Sequence, residues 1–309
     1  MKLDTPQKPV RVVVIGCGRF GTFHARCLAG IKGVALAGVC DRDPARARSL
    51  AASVGAPSAG RVEQLDETID AACVVVPPAE HATVVDNCLS FGLHVLVEKP
   101  FGLDAEAMAR LGAKASAGNR VLRVGYLERF HESARLAMSL VNRPALIHCT
   151  RISPELQDPG EDDVHVALDM MSHDIDHVLR MVGDEPVAVT TRFAPSAMKG
   201  RAMLGASLLF ANGARAVLTA GRLGAHRRRR LRLFDERNWA TADLLDNTVL
   251  WQGEIMRQGN QNPLRSEIED FIDAVRGRES AGASVSEAVV VLRTALAIAS
   301  RDRGPRARS

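Results

Sequence analysis

Asp169 and His173 stand four residues apart in the stretch Asp169-Met-Met-Ser-His173-Asp-Ile-Asp176-His177. On a helix that step places a carboxylate and an imidazole one above the other on a single face. Val166, Met170, Ile175, Val178, Leu179 and Met181 recur at roughly helical spacing through the same stretch, so a helix is expected there. Such a pair can take a proton from an alcohol, because histidine titrates near neutral pH and a nearby carboxylate stabilises the imidazolium. A solvated polar helix face is the plainer reading of the same residues. Asp176 and His177 are adjacent and diverge by about 100° around a helix, so they do not converge with His173 on one ion, and no metal centre is expected.

The second constellation is Gly16-Cys-Gly18-Arg19-Phe20-Gly21, directly after the apolar, β-branched run Val10 to Ile15. A GxGxxG between a buried strand and a helix suits a dinucleotide. The first glycine permits the tight turn, the second lets the backbone approach a pyrophosphate, and the third lets helix and strand pack closely. Arg19 and Phe20 complete the candidate phosphate turn. A second apolar run, Val34 to Cys40, ends in Asp41, about 20 residues beyond Gly21, where a carboxylate can accept from ribose hydroxyls. Its charge would repel a 2′-phosphate, so NAD is favoured over NADP, although Arg42 next to it could hold a phosphate or stack on adenine. Lys99, emerging after the run Leu93 to Val97, would lie at the carboxyl end of a strand, where ligands bind in an open α/β sheet. A cation there can hydrogen-bond a substrate hydroxyl and stabilise a developing alkoxide, and a surface lysine before a turn is the plain alternative.

The elements that must position these groups alternate through the first 126 residues. Strands are expected at Val10 to Ile15, Val34 to Cys40, Ala72 to Val76, Leu93 to Val97 and Val121 to Gly125. Helices are expected between them at about Phe20 to Ala29, from Pro44 through Val54 with Asp43 as cap, Glu80 to Phe91, and from a cap at Asp104 to Ala117. From Pro186 the pattern becomes sheet-like, with strands at Val187 to Phe193, Met203 to Phe210, Ala214 to Ala220, Arg230 to Phe234, Trp239 to Leu244 and Thr248 to Trp251. Asn212-Gly213 predicts a two-residue hairpin, and consecutive hairpins predict an antiparallel sheet. Asn262-Pro263 starts a helix with Leu264, Ile268, Phe271, Ile272 and Val275 on one face, ending at Gly277, and Ser284-x-x-Glu287 reads as the capping box of a last helix. The fold class is therefore α/β, divided as 1–126, which carries the dinucleotide turn, and 127–309.

A length of 309 residues allows two cores, and 46% hydrophobic with 25% charged residues describes an ordinary soluble chain. The six cysteines form no CxxC pair and fall in apolar patterns, so they are expected to be reduced core residues of a cytoplasmic protein. No apolar run approaches the roughly 20 residues of a membrane span, and Met1 to Lys8 lacks the apolar segment of a signal peptide. The formal charge of +4 is modest. Arg227 to Arg230 and the tail with Arg301, Arg303, Arg306 and Arg308 are locally basic, but Arg230, Leu231, Arg232, Leu233 alternate as a half-buried strand does, and no nucleic-acid motif is present.

In order, the GxGxxG, Asp41, Pro77-Pro78 with His81, Glu98-Lys99-Pro100, Val124-Gly125-Tyr126 and Asp169-x-x-x-His173 make the chain resemble the Gfo/Idh/MocA oxidoreductases over nearly its whole length. The resemblance implies an N-terminal Rossmann domain and a C-terminal α/β domain with a large, mostly antiparallel sheet whose open face commonly serves homo-oligomerisation. It implies that Lys99 polarises the reacting hydroxyl, His173 is the general base, and Asp169 supports it. It also implies that Pro77, His81 and Glu98 lie along the cofactor and Tyr126 along the substrate, whereas His81 taken alone, a lone histidine opening a helix, reads as structural or as a rim contact. A narrower likeness, in Gly125-Tyr-Leu-Glu128-Arg129-Phe130, Arg151-Ile-Ser-Pro154, Asp163 to Asp169 and His173 to Asp176, is to the branch that oxidises the 3-hydroxyl of UDP-N-acetylglucosamine before transamination, on the route to amide-linked lipid A. Here His131-Glu132 replaces that branch's Asn-Pro, and Ser153 and Glu155 replace its Ala and Phe around Pro154. Arg129 and Arg151 could each fork onto a nucleotide diphosphate or form half of a structural ion pair.

Overall fold

The computed structural model describes residues 8–65, 68–154, 164–194, 203–222, 226–259 and 262–301. Two compact units emerge, one formed by the chain through Leu127 together with Asn262–Val289, the other by the segment from Glu128 and the end of the chain from Val290.

The first unit alternates strands and helices: β1 (Val10–Ile15), α1 (Arg19–Ala29), β2 (Val34–Cys40), α2 (Pro44–Val54), β3 (Ser58–Ala59), β4 (Ala71–Val74), α3 (His81–Ser90), β5 (His94–Glu98), α4 (Ala105–Ala117) and β6 (Leu122–Gly125). The strands pair in parallel in the order β3-β2-β1-β4-β5-β6. The order reverses at β1, which places the glycine turn after β1 at the switch point where an open sheet leaves a crevice. Val12, Val13 and Val14 are fully buried, as a parallel strand covered on both faces requires. Asp43 caps α2 through Ala45 N at 2.9 Å, and Asp104 caps α4 through Glu106 N at 2.9 Å, both as their spacing predicts.

The second unit contains α5 (Glu132–Leu140), β7 (Leu146–Ser153), α6 (Val166–Asp169), α7 (Met171–Val182), β8 (Pro186–Ala194), β9 (Met203–Phe210), β10 (Arg215–Arg222), β11 (Arg228–Phe234), β12 (Trp239–Asp243), β13 (Thr248–Trp251) and β14 (Glu254–Arg257). Its strands form one sheet in the order β14-β13-β12-β11-β7-β10-β9-β8. All pairs are antiparallel except β7 with β10. That parallel pair was not expected. It exists because β7 enters the middle of the sheet before α6 and α7, a connection long enough to separate it from its neighbours in sequence. The hairpin between β9 and β10 also differs. Phe210 N donates to Ala214 O at 3.0 Å, so three residues form the loop, with Gly213 at φ +86 in the left-handed position. β7, α5 and β14 had no counterpart among the expected elements.

Two helices follow, α8 (Pro263–Val275) and α9 (Val285–Arg301). The boundary at 126/127 assigned everything after it to the second unit, whereas α8 returns to the first. Its Ile268, Phe271 and Ile272 join Val12, Val14, Ala25, Leu28 and Val39 in one core. The apolar stripe was legible, but its partner lies more than 200 residues upstream, as in the hydrogen bond from Arg276 Nη2 to Gly33 O with a separation of 243 residues. Ser284 and Glu287 form the reciprocal capping box of α9, Ser284 N to Glu287 Oε2 at 2.9 Å and Glu287 N to Ser284 Oγ at 3.3 Å. Among the described residues no helix is long and apolar enough to cross a membrane.

Candidate active site

The glycine turn of the first unit is shaped by exclusion. Gly16 adopts φ +103, and a Cβ there would meet Val75 O at 2.4 Å. A Cβ on Gly21 would meet Gly16 O at 1.8 Å, so the start of α1 packs on the turn with no room for a side chain. A Cβ on Gly18 would meet nothing within 4 Å, so this middle glycine faces open space. α1 begins there with no side-chain cap and no acidic residue in its first turn. Its leading N–H groups and positive dipole end therefore suit an anion such as a pyrophosphate. Arg19 is exposed, and Phe20 is exposed with its ring edge-on to Phe23 at 6.2 Å.

Asp41 braces this turn. Its Oδ2 accepts from Cys17 N at 2.7 Å and its Oδ1 from Asp43 N at 2.8 Å. Each carboxylate oxygen accepts more than one hydrogen bond, so capacity remains for ribose hydroxyls. Arg42 reaches Glu80 at 3.1 Å with 79% of its side chain exposed, a weak surface pair. The turn thus fits a dinucleotide on its own geometry.

Three residues that the resemblance places along the ligands are buried. His81 is fully buried, Nδ1 3.0 Å from Pro100 O and Nε2 2.8 Å from Val76 O, so the ring ties two loops together. Burial lowers its pKa, outweighing the two carbonyls. Glu98 is buried and places Oε1 2.9 Å from His24 Nε2, while its Oε2 accepts from Lys99 N at 3.1 Å. Burial alone would raise the Glu98 carboxyl, but the His24 hydrogen bond and charge, with Lys99, hold it below the usual carboxylate range. Tyr126, at the end of β6, is 1% exposed. Pro77 and the half-buried Lys99 follow β4 and β5 at the carboxyl side of the sheet.

In the second unit the expected single helix is interrupted. α6 ends at Asp169 and α7 starts at Met171, with Met170 between them. Asp169 is held by Arg222 Nη2 at 2.7 Å, and His173 is 7% exposed on α7. The other two carboxylates of α7 serve as anchors. Asp174 accepts from Arg151 Nη2 at 2.9 Å, and Asp176 is gripped by both Nε, at 2.8 Å, and Nη2 of Arg129. Arg151 also donates through Nη1 to Glu128 Oε1 at 2.9 Å, and Arg229 Nη1 reaches the same oxygen at 3.0 Å. Of the two readings of Arg129 and Arg151, the buried ion pair is the one observed, with the residues 3% and 4% exposed. The two carboxylates, with Asp174 ahead of Glu128, hold the Arg151 guanidinium charged against its burial.

The sheet arranges these cations in register. Arg151 stands opposite Arg229 and beside Ala220, and Ser153 beside Arg222, so three neighbouring strands bring arginines to one end of the helix-facing surface. Glu128 and Asp174 lie within motifs that carry the resemblance, and Arg229 within a basic run, but nothing in the spacing gives them a role, and Arg222 and His24 have no local signal. Arginines at the ends of otherwise apolar inward rows, Ile147-Cys149-Arg151 and Leu218-Ala220-Arg222, are the trace the sequence does contain. Asp163 and Glu155 lie outside the described residues. All six cysteines are free, five of them buried.

Residues 10–126 match the family described as "Oxidoreductase family, NAD-binding Rossmann fold", GFO_IDH_MocA. UDP-N-acetylglucosamine 3-dehydrogenase of Acidithiobacillus ferrooxidans is 32% identical over 281 residues, covering 86% of this chain and 88% of that protein. A solved structure of UDP-N-acetylglucosamine 3-dehydrogenase GnnA from the same species is similar with a TM-score of 0.89 at 31% identity, over 95% of this chain and 97% of that one. An inositol 2-dehydrogenase of Rhodococcus erythropolis is 32% identical over 199 residues, 61% of this chain and 57% of that protein.

Proposed function

The chain belongs to the Gfo/Idh/MocA family of NAD-binding oxidoreductases, and on that premise we propose that it is an NAD-dependent dehydrogenase converting the 3-hydroxyl of UDP-N-acetylglucosamine to a ketone. The observation that carries the substrate is coverage. Likeness to the nucleotide-sugar enzyme runs through 86% of the chain, whereas likeness to the inositol enzyme of Rhodococcus erythropolis spans 61%. A 3-keto sugar is a substrate for transamination, which suits a place before lipid A with amide-linked chains.

Gly16, Gly18, Gly21 and the start of α1 hold the pyrophosphate, with Arg19 and Phe20 beside it, and Asp41 holds the adenosine ribose. Asp41 favours NAD over NADP, because a 2′-phosphate would meet its carboxylate. When bound, the nicotinamide supplies the acceptor for the two electrons that leave the sugar carbon as hydride. Lys99 hydrogen-bonds the reacting hydroxyl and stabilises negative charge on its oxygen. His173 takes the hydroxyl proton, and Asp169, steadied by Arg222, supports the imidazolium that results. Arg129 and Arg151 act as the framework of α7 and leave phosphate recognition to other groups.

Association of copies through the open face of the second sheet is part of this reading. Leu146, Val217 and Trp239 share that face by strand register and are 39%, 37% and 39% exposed. Light scattering at micromolar concentration should give a multiple of the 33.3 kDa chain mass.

The function is tested by incubating the protein with NAD, UDP-N-acetylglucosamine and an aminotransferase with its amino donor, following nicotinamide reduction and product mass. Reduction with a 3-amino nucleotide sugar, absent in His173→Ala, is expected. NAD binding with no oxidation of UDP-N-acetylglucosamine, while an inositol is oxidised, would move the substrate to the polyols.

A further inference from the structure

Glu128 stands in a cluster whose charges balance. Two guanidiniums, Arg151 and Arg229, meet two carboxylates, Glu128 and Asp174, through contacts of 2.9 to 3.0 Å. Arg129, just after Glu128 in the chain, forms a second buried ion pair with Asp176 of α7. Both guanidinium contacts to Glu128 fall on Oε1. Its Oε2 is buried and has no hydrogen-bond partner among the described residues. A buried carboxylate oxygen left unpaired costs free energy unless it serves a cation nearby. Two imidazoles besides His173 feel this charge, His131 and the fully buried His177.

We propose that Glu128 is a positioning residue for the reaction: tied through Arg151 to Asp174, the chain neighbour of His173 on α7, its buried second carboxylate oxygen stabilises the protonated form of the His173 ring, while Arg151 and Arg229 hold the carboxylate in place and limit its strength. The inference rests on the reading of His173 as the base. Burial would raise the Glu128 carboxyl, but Arg151, then His173, Arg229 and His131 hold it well below the usual carboxylate range, so it is ionised wherever the base works. A base that becomes cationic as it takes a proton gains from a fixed anion, and the gain is tuned by how far other cations neutralise that anion. Arg229 is the outer guanidinium, with 32% of its side chain exposed, and so the accessible control on that tuning.

The charge balance makes the test two-signed. Glu128→Gln leaves two guanidiniums facing one carboxylate, and the pKa of His173 should fall by on the order of one unit. Arg229→Gln leaves two carboxylates facing one guanidinium, and the same pKa should rise by about half a unit. The readout is a ¹³C-histidine NMR titration of the full chain without substrate, with His173→Gln identifying the resonance. The acid limb of kcat/KM for sugar oxidation should move with it, lower in Glu128→Gln and higher in Arg229→Gln. Opposite movements cannot arise from general loosening of the fold. An unmoved His173 in a folded Glu128→Gln overturns the proposal. If that variant does not fold, Arg229→Gln decides alone, and no rise overturns it. Absence of sugar oxidation with both NMR shifts intact would count against the proposed function and not against this electrostatic link.

Discussion

The two units prepare their functional surfaces by opposite means. Around the glycine turn the first unit offers main chain: open space at Gly18, an uncapped helix start, and one carboxylate whose visible partners are backbone N–H groups. The second unit holds α7, the helix that carries His173, with ionised side chains that are buried and paired with one another. A site made of backbone is vulnerable to added volume and indifferent to most changes of charge. A site made of buried ion pairs is vulnerable to the loss of one charge, because the partner remains without compensation in a low-dielectric interior.

The largest effect that would sharpen this contrast is in the ionic unit. Asp176→Asn removes the carboxylate charge that the buried Arg129 guanidinium grips through Nε and Nη2 and should cost about 3–5 kcal/mol in urea-induced unfolding. A double change of both residues to leucine and methionine should recover most of that loss, and failure to recover it would mean that shape rather than charge governs the site. Next comes Gly21→Ala, whose Cβ would sit 1.8 Å from Gly16 O. It should cost about 1–3 kcal/mol by overpacking and abolish NAD binding in a fluorescence titration. Gly18→Ala, with open space around it, should leave the melting temperature in place while weakening NAD. Equal behaviour of the two alanine variants would break the comparison. The smallest effect is expected for Asp43→Ala, which removes the cap of α2 for about 1 kcal/mol of stability.

Legibility differed between the units for the same physical reason. Val10 to Ile15, the glycines, Asp41 and the Asp43-Pro44 start of α2 lie within a few residues of the groups they serve, so periodicity and turn chemistry reveal them. β7 was missed because Arg151 occupies its inward row, where an apolar residue would have completed the alternation. The resemblance places His81 and Glu98 along the cofactor, but the direction of a side chain at the start of a helix or the end of a strand is set by what it meets. His81 met Val76 O and Pro100 O, and Glu98 met His24, 74 residues away in the chain.

The sequence by itself determined the family, the Rossmann alternation and the dinucleotide turn, because each depends on local spacing, whereas the break between α6 and α7 that separates Asp169 from His173 was not written in that spacing. Only the tertiary structure decided that α8 belongs to the first core, that β7 lies parallel to β10, and that Arg129 and Arg151 bind carboxylates of α7. It also brought Glu128, Arg151, Asp174 and Arg229 into one balanced cluster, joining groups up to 101 residues apart. Pair energies between ions depend on distance and burial in three dimensions, and neither quantity is written in the spacing of residues along the chain.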